Sequence, residues 1–181
     1  MIKILKEDFL KRTRVDSRDS AMSNSIQAAL QHNPTYLPNV STESRRCFRD
    51  AFATSIYKQS QRYRFGVAEH EHLAGIEEIT KKISQEHGKI LRNNCLRIGT
   101  TQKALNLYLK FLWCLETDWV TPPHCPIDRI VLQKARIVGK WTQLNSIDQY
   151  VCWISQLKDF AKGQEYTNLA EWELTLWNKQ A

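Results

Sequence analysis

Glycine and proline are sparse, six and five of 181 residues, so little interrupts long helices, and no internal repeat or low-complexity tract is visible. Paired cysteines are lacking too. Cys47, Cys95, Cys114, Cys125 and Cys152 are odd in number, widely spaced and form no C-x-x-C, a pattern that fits reduced thiols in a cytosolic protein. The first residues, MIKILKEDFLKRTR, contain no apolar run of signal-peptide length, and nowhere is there the run of roughly 18 apolar residues that a membrane span needs. These absences point to the cytoplasm. No segment alternates apolar and polar residues convincingly enough to predict a strand.

What is present is a core-forming composition: 42% hydrophobic residues and six tryptophans, enough for one domain over residues 1–181 without metal or disulfide staples. The formal charge is +7, and it is unevenly spread. Residues 1–65 hold 12 Lys and Arg against 6 Asp and Glu, whereas residues 66–181 hold 14 against 13. A basic first third can supply phosphate contacts to nucleic acid, and it can equally be a solvated surface.

Helical periodicity runs through most of the chain. SAMSNSIQAALQH predicts a short helix ending at residue 32, before Asn33-Pro34, and PTYLPNVSTES a linker. In RRCFRDAFATSIYKQSQRY, Phe48, Phe52 and Ile56 recur every four residues on one face. LAGIEEITKKISQEHG repeats the pattern with Leu73, Ile76, Ile79 or Thr80, and Ile83 and stops at Gly88, with KILRNN as a short turn beyond it. After Gly99, with a threonine hydroxyl as cap, an apolar helix is expected over about 101–116. Pro122, Pro123 and Pro126 enforce a loop, and DRIVLQKARIV restarts a helix with Asp128 at its positive end. Ser146 and Gln149 form a capping-box pattern ahead of YVCWISQLKDFAKG, and TNLAEWELTLWNK closes the chain. The expectation is an all-α globule of seven or eight helices around the helix at 101–116.

That central helix carries an anomaly. At 100° per residue Gln102, Asn106 and Lys110 stack along one strip, with Lys103 at its edge and Trp113 continuing it, while nearly everything else is apolar. Such a strip either meets solvent or serves a function. Lys103 lies in the first helical turn, where dipole and partial burial disfavour a charged amine, and a neutral amine attacks a sugar carbon or carbonyl to form a Schiff base. A carboxylate is then wanted nearby, and Asp128 follows 25 residues downstream.

The order of a hairpin with Gly99, then QKALNLYLKFLW, then a proline loop and PIDR before an apolar helix resembles the core of the helix-hairpin-helix DNA glycosylases, most closely the archaeal 8-oxoguanine type. The likeness spans about residues 90–135. It implies Lys103 as nucleophile at the sugar of a damaged nucleotide, Asp128 as its supporting carboxylate, and Ile98, Gly99 and Thr100 as part of a backbone grip on a DNA phosphate. It also implies chemistry without metal or cofactor, a DNA contact that includes Gln102, Asn106 and Lys110, and a pocket for an extruded base with aromatic walls. Trp113, Trp119, Tyr108 and Phe52 are available for those walls.

Other groupings carry weaker chemistry. Arg45, Arg46, Arg49, Lys58, Arg62 and Arg64 interleave with Phe48, Tyr57, Tyr63 and Phe65, which suits nucleic acid as well as a solvated helix face. His70 and His72 are two apart and point to different sides of a helix, so they do not share a metal. His124-Cys125 sits in a constrained loop without a visible third partner. The last helix, with Leu169, Trp172, Glu173, Leu176 and Trp177, must dock on its own domain, on a second copy or on a protein partner. Two functions compete: a lysine-dependent DNA glycosylase/lyase, and a non-catalytic helical module that binds nucleic acid or protein.

Overall fold

The computed structural model describes residues 2–31 and 33–179. They form eight α-helices and no strand: α1 Ile2–Thr13, α2 Arg18–Leu30, α3 Thr42–Ser60, α4 Glu69–His87, α5 Ile98–Leu115, α6 Arg129–Lys134, α7 Ile147–Lys162 and α8 Leu169–Lys179. A single antiparallel bridge, Tyr36 to Leu91, ties the linker after α2 to the turns after α4. Among the described residues no helix is long and apolar enough to cross a membrane.

Capping chemistry sets several of the starts. Ser17 accepts from the Ser20 amide ahead of α2, Ser41 from the Ser44 amide ahead of α3, and Ser146 from the Gln149 amide ahead of α7. The periodic faces point inward as expected: Phe48, Phe52, Ile56, Ile76 and Ile83 are fully buried. The predicted end of the second helix, at residue 32, lies outside the described residues. α1 is an element the sequence reading did not assign; it buries Phe9 between the Phe111 and Trp177 rings, at 4.9 and 4.8 Å.

α5 is the axis of the molecule, packed by α1, α2, α3, α4 and α7. It begins three residues earlier than expected, with Arg97 as a cap that makes no side-chain bond to the helix start. Gly99 falls inside that early turn rather than before the helix. A Cβ there would sit 1.9 Å from the Trp141 carbonyl oxygen, so only glycine lets the first turn of α5 press onto the turn at 141–143. The threonines do not cap either: Thr101 shares a hydrogen bond with Thr80 on α4, 2.7 Å, and Thr100 accepts from Asn33, 2.8 Å. α6 is shorter than predicted, because Arg136 adopts a left-handed conformation (φ 56°) that ends it.

Candidate functional site

The polar strip of α5 is not a solvent-facing edge. Gln102 and Asn106 are fully buried and Lys110 is 1% exposed. A buried amide needs partners, and the proline loop supplies them. Gln102 grips Ile127 from both ends: its Nε2 donates to the Ile127 carbonyl (2.7 Å) and its Oε1 accepts from the Ile127 amide (3.0 Å). One turn on, Asn106 Nδ2 donates to the Cys125 carbonyl (3.2 Å) and to the Tyr150 hydroxyl (2.9 Å). The loop is held from its other side by His124, whose Nδ1 pairs with the Tyr150 hydroxyl at 2.9 Å and whose Nε2 meets Glu69 at 3.0 Å.

This clamp delivers Asp128. The residue follows Ile127 directly and serves as the N-cap of α6, its Oδ1 accepting from the Ile130 and Val131 amides at 2.9 and 3.1 Å. Its second oxygen, Oδ2, lies 3.4 Å from the Lys103 ammonium, with the two side chains 29% and 13% exposed. The Trp141 ring stands 4.4 Å from the same ammonium.

Lys103 and Asp128 sit where two cavities meet. The larger, about 660 Å³, is also lined by Arg129, Ile130, Lys140 and Trp141. The smaller, about 200 Å³, shares Ala28, Lys103 and Asp128 with it and is walled by Phe9, Trp177, Lys110 and Glu173. On its floor Lys110 Nζ and Glu173 Oε2 form an ion pair at 2.5 Å, with the ammonium 4.0 Å from the Phe9 ring centre. Burial pushes the Glu173 carboxyl up from its ordinary range, against the pull of Lys110.

Several expected site residues stand elsewhere. Gln102 and Asn106 are enclosed by the loop and cannot touch DNA, and Lys110 is reached only from inside the smaller cavity. The phosphate grip assigned to Ile98, Gly99 and Thr100 is likewise displaced: all three are buried, and the Gly99 and Thr100 amides already donate to the Leu144 and Arg97 carbonyls. Arg45, Arg46, Arg62 and Arg64 line neither cavity. Arg45 lies over Tyr36, and the other three pair with Glu43, Glu71 and Asp118.

The aromatic walls are also different from those anticipated. Trp113, Trp119, Tyr108 and Phe52 are core residues, and the cavities use Phe9, Trp141 and Trp177 instead. The terminal helix docks within the chain, its Asn178 side chain donating to the Leu5 carbonyl at 3.2 Å, so its apolar face is covered by α1 and α7. Cys125 is fully buried and its thiol pushed well up by that burial, which disqualifies it as a nucleophile.

A second polar cluster adjoins the loop. The His72 and His124 rings meet edge to face at 4.6 Å, Tyr63 bonds His72 Nδ1 at 2.8 Å, and Lys158 closes on Glu69 at 2.6 Å. Burial holds the His124 imidazole down at about 4, and that of His72 well below its usual value. Among the described residues no group of three or more His, Cys, Asp or Glu is arranged to hold a metal ion. No protein-family model, no curated protein and no solved structure matches this chain.

Proposed function

We propose that the protein is a DNA base-excision glycosylase with associated lyase activity, using Lys103 as nucleophile on a damaged nucleotide. The observation that carries this reading is the Lys103–Asp128 pair, held at 3.4 Å where an aromatic-walled cavity opens into a larger, cation-lined one. An ordinary surface ion pair needs neither cavity, and Lys103, unlike the enclosed Lys110, lines both.

In the proposed reaction Asp128 takes a proton from the Lys103 ammonium, and the freed amine forms a bond to C1′ of the sugar. The bond from C1′ to the base breaks, and the base leaves with the electron pair and the proton that Asp128 had taken. The C1′–O4′ bond then breaks, its electron pair going to O4′ with a proton from the attached nitrogen, which gives a protonated Schiff base between Nζ and C1′. Loss of a C2′ proton expels the 3′ phosphate, which is the lyase step. The smaller cavity receives the extruded base: Trp177 offers an aromatic wall, Phe9 backs it from beneath, and Lys110 with Glu173 offers a donor and an acceptor to the base edge. Arg129 and Lys140 border the larger cavity, where the sugar-phosphate chain would pass.

The test is borohydride trapping on end-labelled duplexes carrying 8-oxoguanine, uracil or an abasic site, with Lys103→Ala and Asp128→Asn alongside. A covalent adduct formed by the wild type, absent with Lys103→Ala and slowed by about 10²-fold or more with Asp128→Asn, is the expected result. No adduct on any duplex sinks the nucleophile and leaves a helical binding module.

A further inference from the structure

Behind the loop that leads to Asp128 lies a buried polar chain that the proposed reaction does not use. It joins Asn106 to Tyr150, Tyr150 to His124, and His124 to the half-exposed Glu69, which Lys158 holds at the surface. Its hydrogens follow from what each partner accepts. The Cys125 carbonyl only accepts, so the Asn106 group facing it is the Nδ2 donor, and the same Nδ2 donates to the Tyr150 oxygen at 2.9 Å. Tyr150 has one proton to give, and it goes to His124 Nδ1 at 2.9 Å. The other ring nitrogen, Nε2, then carries the hydrogen that meets Glu69 at 3.0 Å. Every bond in the chain is made with a neutral His124.

A second proton does not fit this arrangement. On Nδ1 it would face the Tyr150 proton, and Tyr150 must then donate elsewhere. Asn106 Oδ1, on the amide that Tyr150 already touches, is a buried acceptor without a hydrogen-bond partner. Turning the amide to offer it withdraws Nδ2 from the Cys125 carbonyl and from the Gln102 oxygen that holds the Ile127 amide. The turn carries Nδ2 toward His72, whose Nε2 is also buried and unpartnered and on which the Asn106 side chain already bears; His72 then keeps its hydrogen on Nδ1, toward the Tyr63 oxygen. The two unpartnered atoms are those that a second arrangement would use. We infer that His124 is a proton-operated latch: a proton gained there turns the Asn106 amide, frees the Cys125 carbonyl and loosens the loop that leads to Asp128. The groups facing the ring are Glu69 and His72 on α4, Tyr150 and Lys158 on α7, and Cys125 in the loop, with Tyr63 behind His72. Burial pushes the Tyr150 hydroxyl and the Cys125 thiol well up and Tyr63 up to about 12, so none of the three changes charge in acid. Burial likewise holds His72 well below its usual value. Enclosed, the His124 ring is held down at about 4; in a loosened loop that admits water it returns toward about 6.5, so protonation favours the loosened form by up to about 300-fold.

Proton–nitrogen correlation spectra across a pH titration test the latch without any substrate. In the native chain the backbone amides of Ile127, Ile130 and Val131 and the Asn106 side-chain pair are expected to shift together, with the midpoint of the His124 ring signals, between about 6.5 and 4, while the amides of α3 stay in place. Tyr150→Phe keeps the ring packed in the core and removes only the oxygen that links His124 to Asn106. In that variant the His124 signals still titrate and the three amides and the Asn106 pair no longer follow. Loop amides that stay in place while His124 titrates in the native chain, or that titrate in Tyr150→Phe as they do in the native chain, overturn the latch. No DNA enters the experiment, so its outcome stands apart from whether Lys103 is a nucleophile.

Discussion

Replacing Gln102 by Leu separates a loop-clamping strip from an ordinary polar edge. The substitution keeps the approximate bulk but removes both bonds to Ile127, at 2.7 and 3.0 Å, and the bond to the Gly99 carbonyl at 3.0 Å. Ile127 is fully buried, so water does not replace its partners. Each buried backbone group left unmade costs about 1–3 kcal/mol, and the two on Ile127 together cost about 2–6 kcal/mol, a large share of the roughly 5–15 kcal/mol that holds a domain folded. Urea unfolding followed by tryptophan fluorescence measures it. With a slope of about 2 kcal/mol per molar, the midpoint falls by about 1 M or more. Partial relief by movement of the loop carries Asp128 with it, so the surviving folded protein also loses trapping rate by about 10²-fold. A loss of stability below about 0.5 kcal/mol, the range of an innocuous surface substitution, refutes the clamp.

Acid sensitivity follows from His124. Its folded value of about 4 lies below the ordinary 6.5 because the ring is buried, so on acidification the unfolded chain takes up the proton first. Stability is therefore highest above 6.5, declines through the window from 6.5 to 4, and the whole difference is about 3 kcal/mol; Glu69, held below the carboxylate range chiefly by Lys158, adds a loss of the same sign at its lower end. Between pH 7 and pH 5 the native protein should lose about 2 kcal/mol more than His124→Gln in urea titrations, and parallel losses in the two proteins would remove His124 as the cause. For the buried pair, Lys110→Ala strands Glu173 without its cation and is expected to cost about 3–5 kcal/mol, whereas the double variant Lys110→Met/Glu173→Leu recovers most of it. Equal destabilisation by the single and double variants would count against an ion pair as the feature at stake.

The all-α architecture was legible because most of the long helices carry a 3.6-residue apolar face, and α2, α3, α6 and α7 open on a capping serine or aspartate. Asp128 was legible for the same reason: an aspartate between a proline loop and an apolar run is a helix start, and α5 offers one lysine near its beginning for it to meet, although the early start of the helix at Ile98 puts Lys103 in the second turn rather than the first. The direction in which the strip of Gln102, Asn106 and Lys110 faces was not legible. A helical wheel shows that three residues share a side, but what covers that side comes from Cys125 and Ile127 in one place and Glu173 in another, at separations of 19, 25 and 63 residues. The role of Gly99 was misassigned because a glycine needed for a close approach to Trp141 looks in sequence like a glycine needed for a turn. Charge counting pointed to Arg45, Arg46, Arg62 and Arg64, yet cations along the cavity are Arg129 and Lys140, drawn from the electrically near-neutral part of the chain. The sequence signal that could have found α1 is the i, i+4 pair Leu5 and Phe9, followed by the basic Lys11 and Arg12 at the helix end.

The strip therefore has a division of labour that explains why a core helix keeps polar residues at all. Its first two members fasten the backbone on either side of Pro126, and the third carries a charge to the floor of a cavity. Lys103, one residue round from Gln102, faces the opening. Because Gln102 and Lys103 are adjacent on one rigid helix, the residue that fixes the Asp128 loop and the residue that meets Asp128 share a single frame. The Lys103 to Asp128 separation then depends on one helix turn and two hydrogen bonds, with no long loop in between. Side chains placed by helices and held by buried hydrogen bonds keep a pair within the tolerance that proton transfer and attack require, and desolvation of the clamp is the cost that such placement carries. The same logic accounts for most of the strip's tolerance to burial: the Gln102 amide meets backbone at both ends, Asn106 Nδ2 meets backbone and a hydroxyl, and the one charge meets its opposite, which leaves Asn106 Oδ1 as the strip's one buried atom without a hydrogen-bond partner.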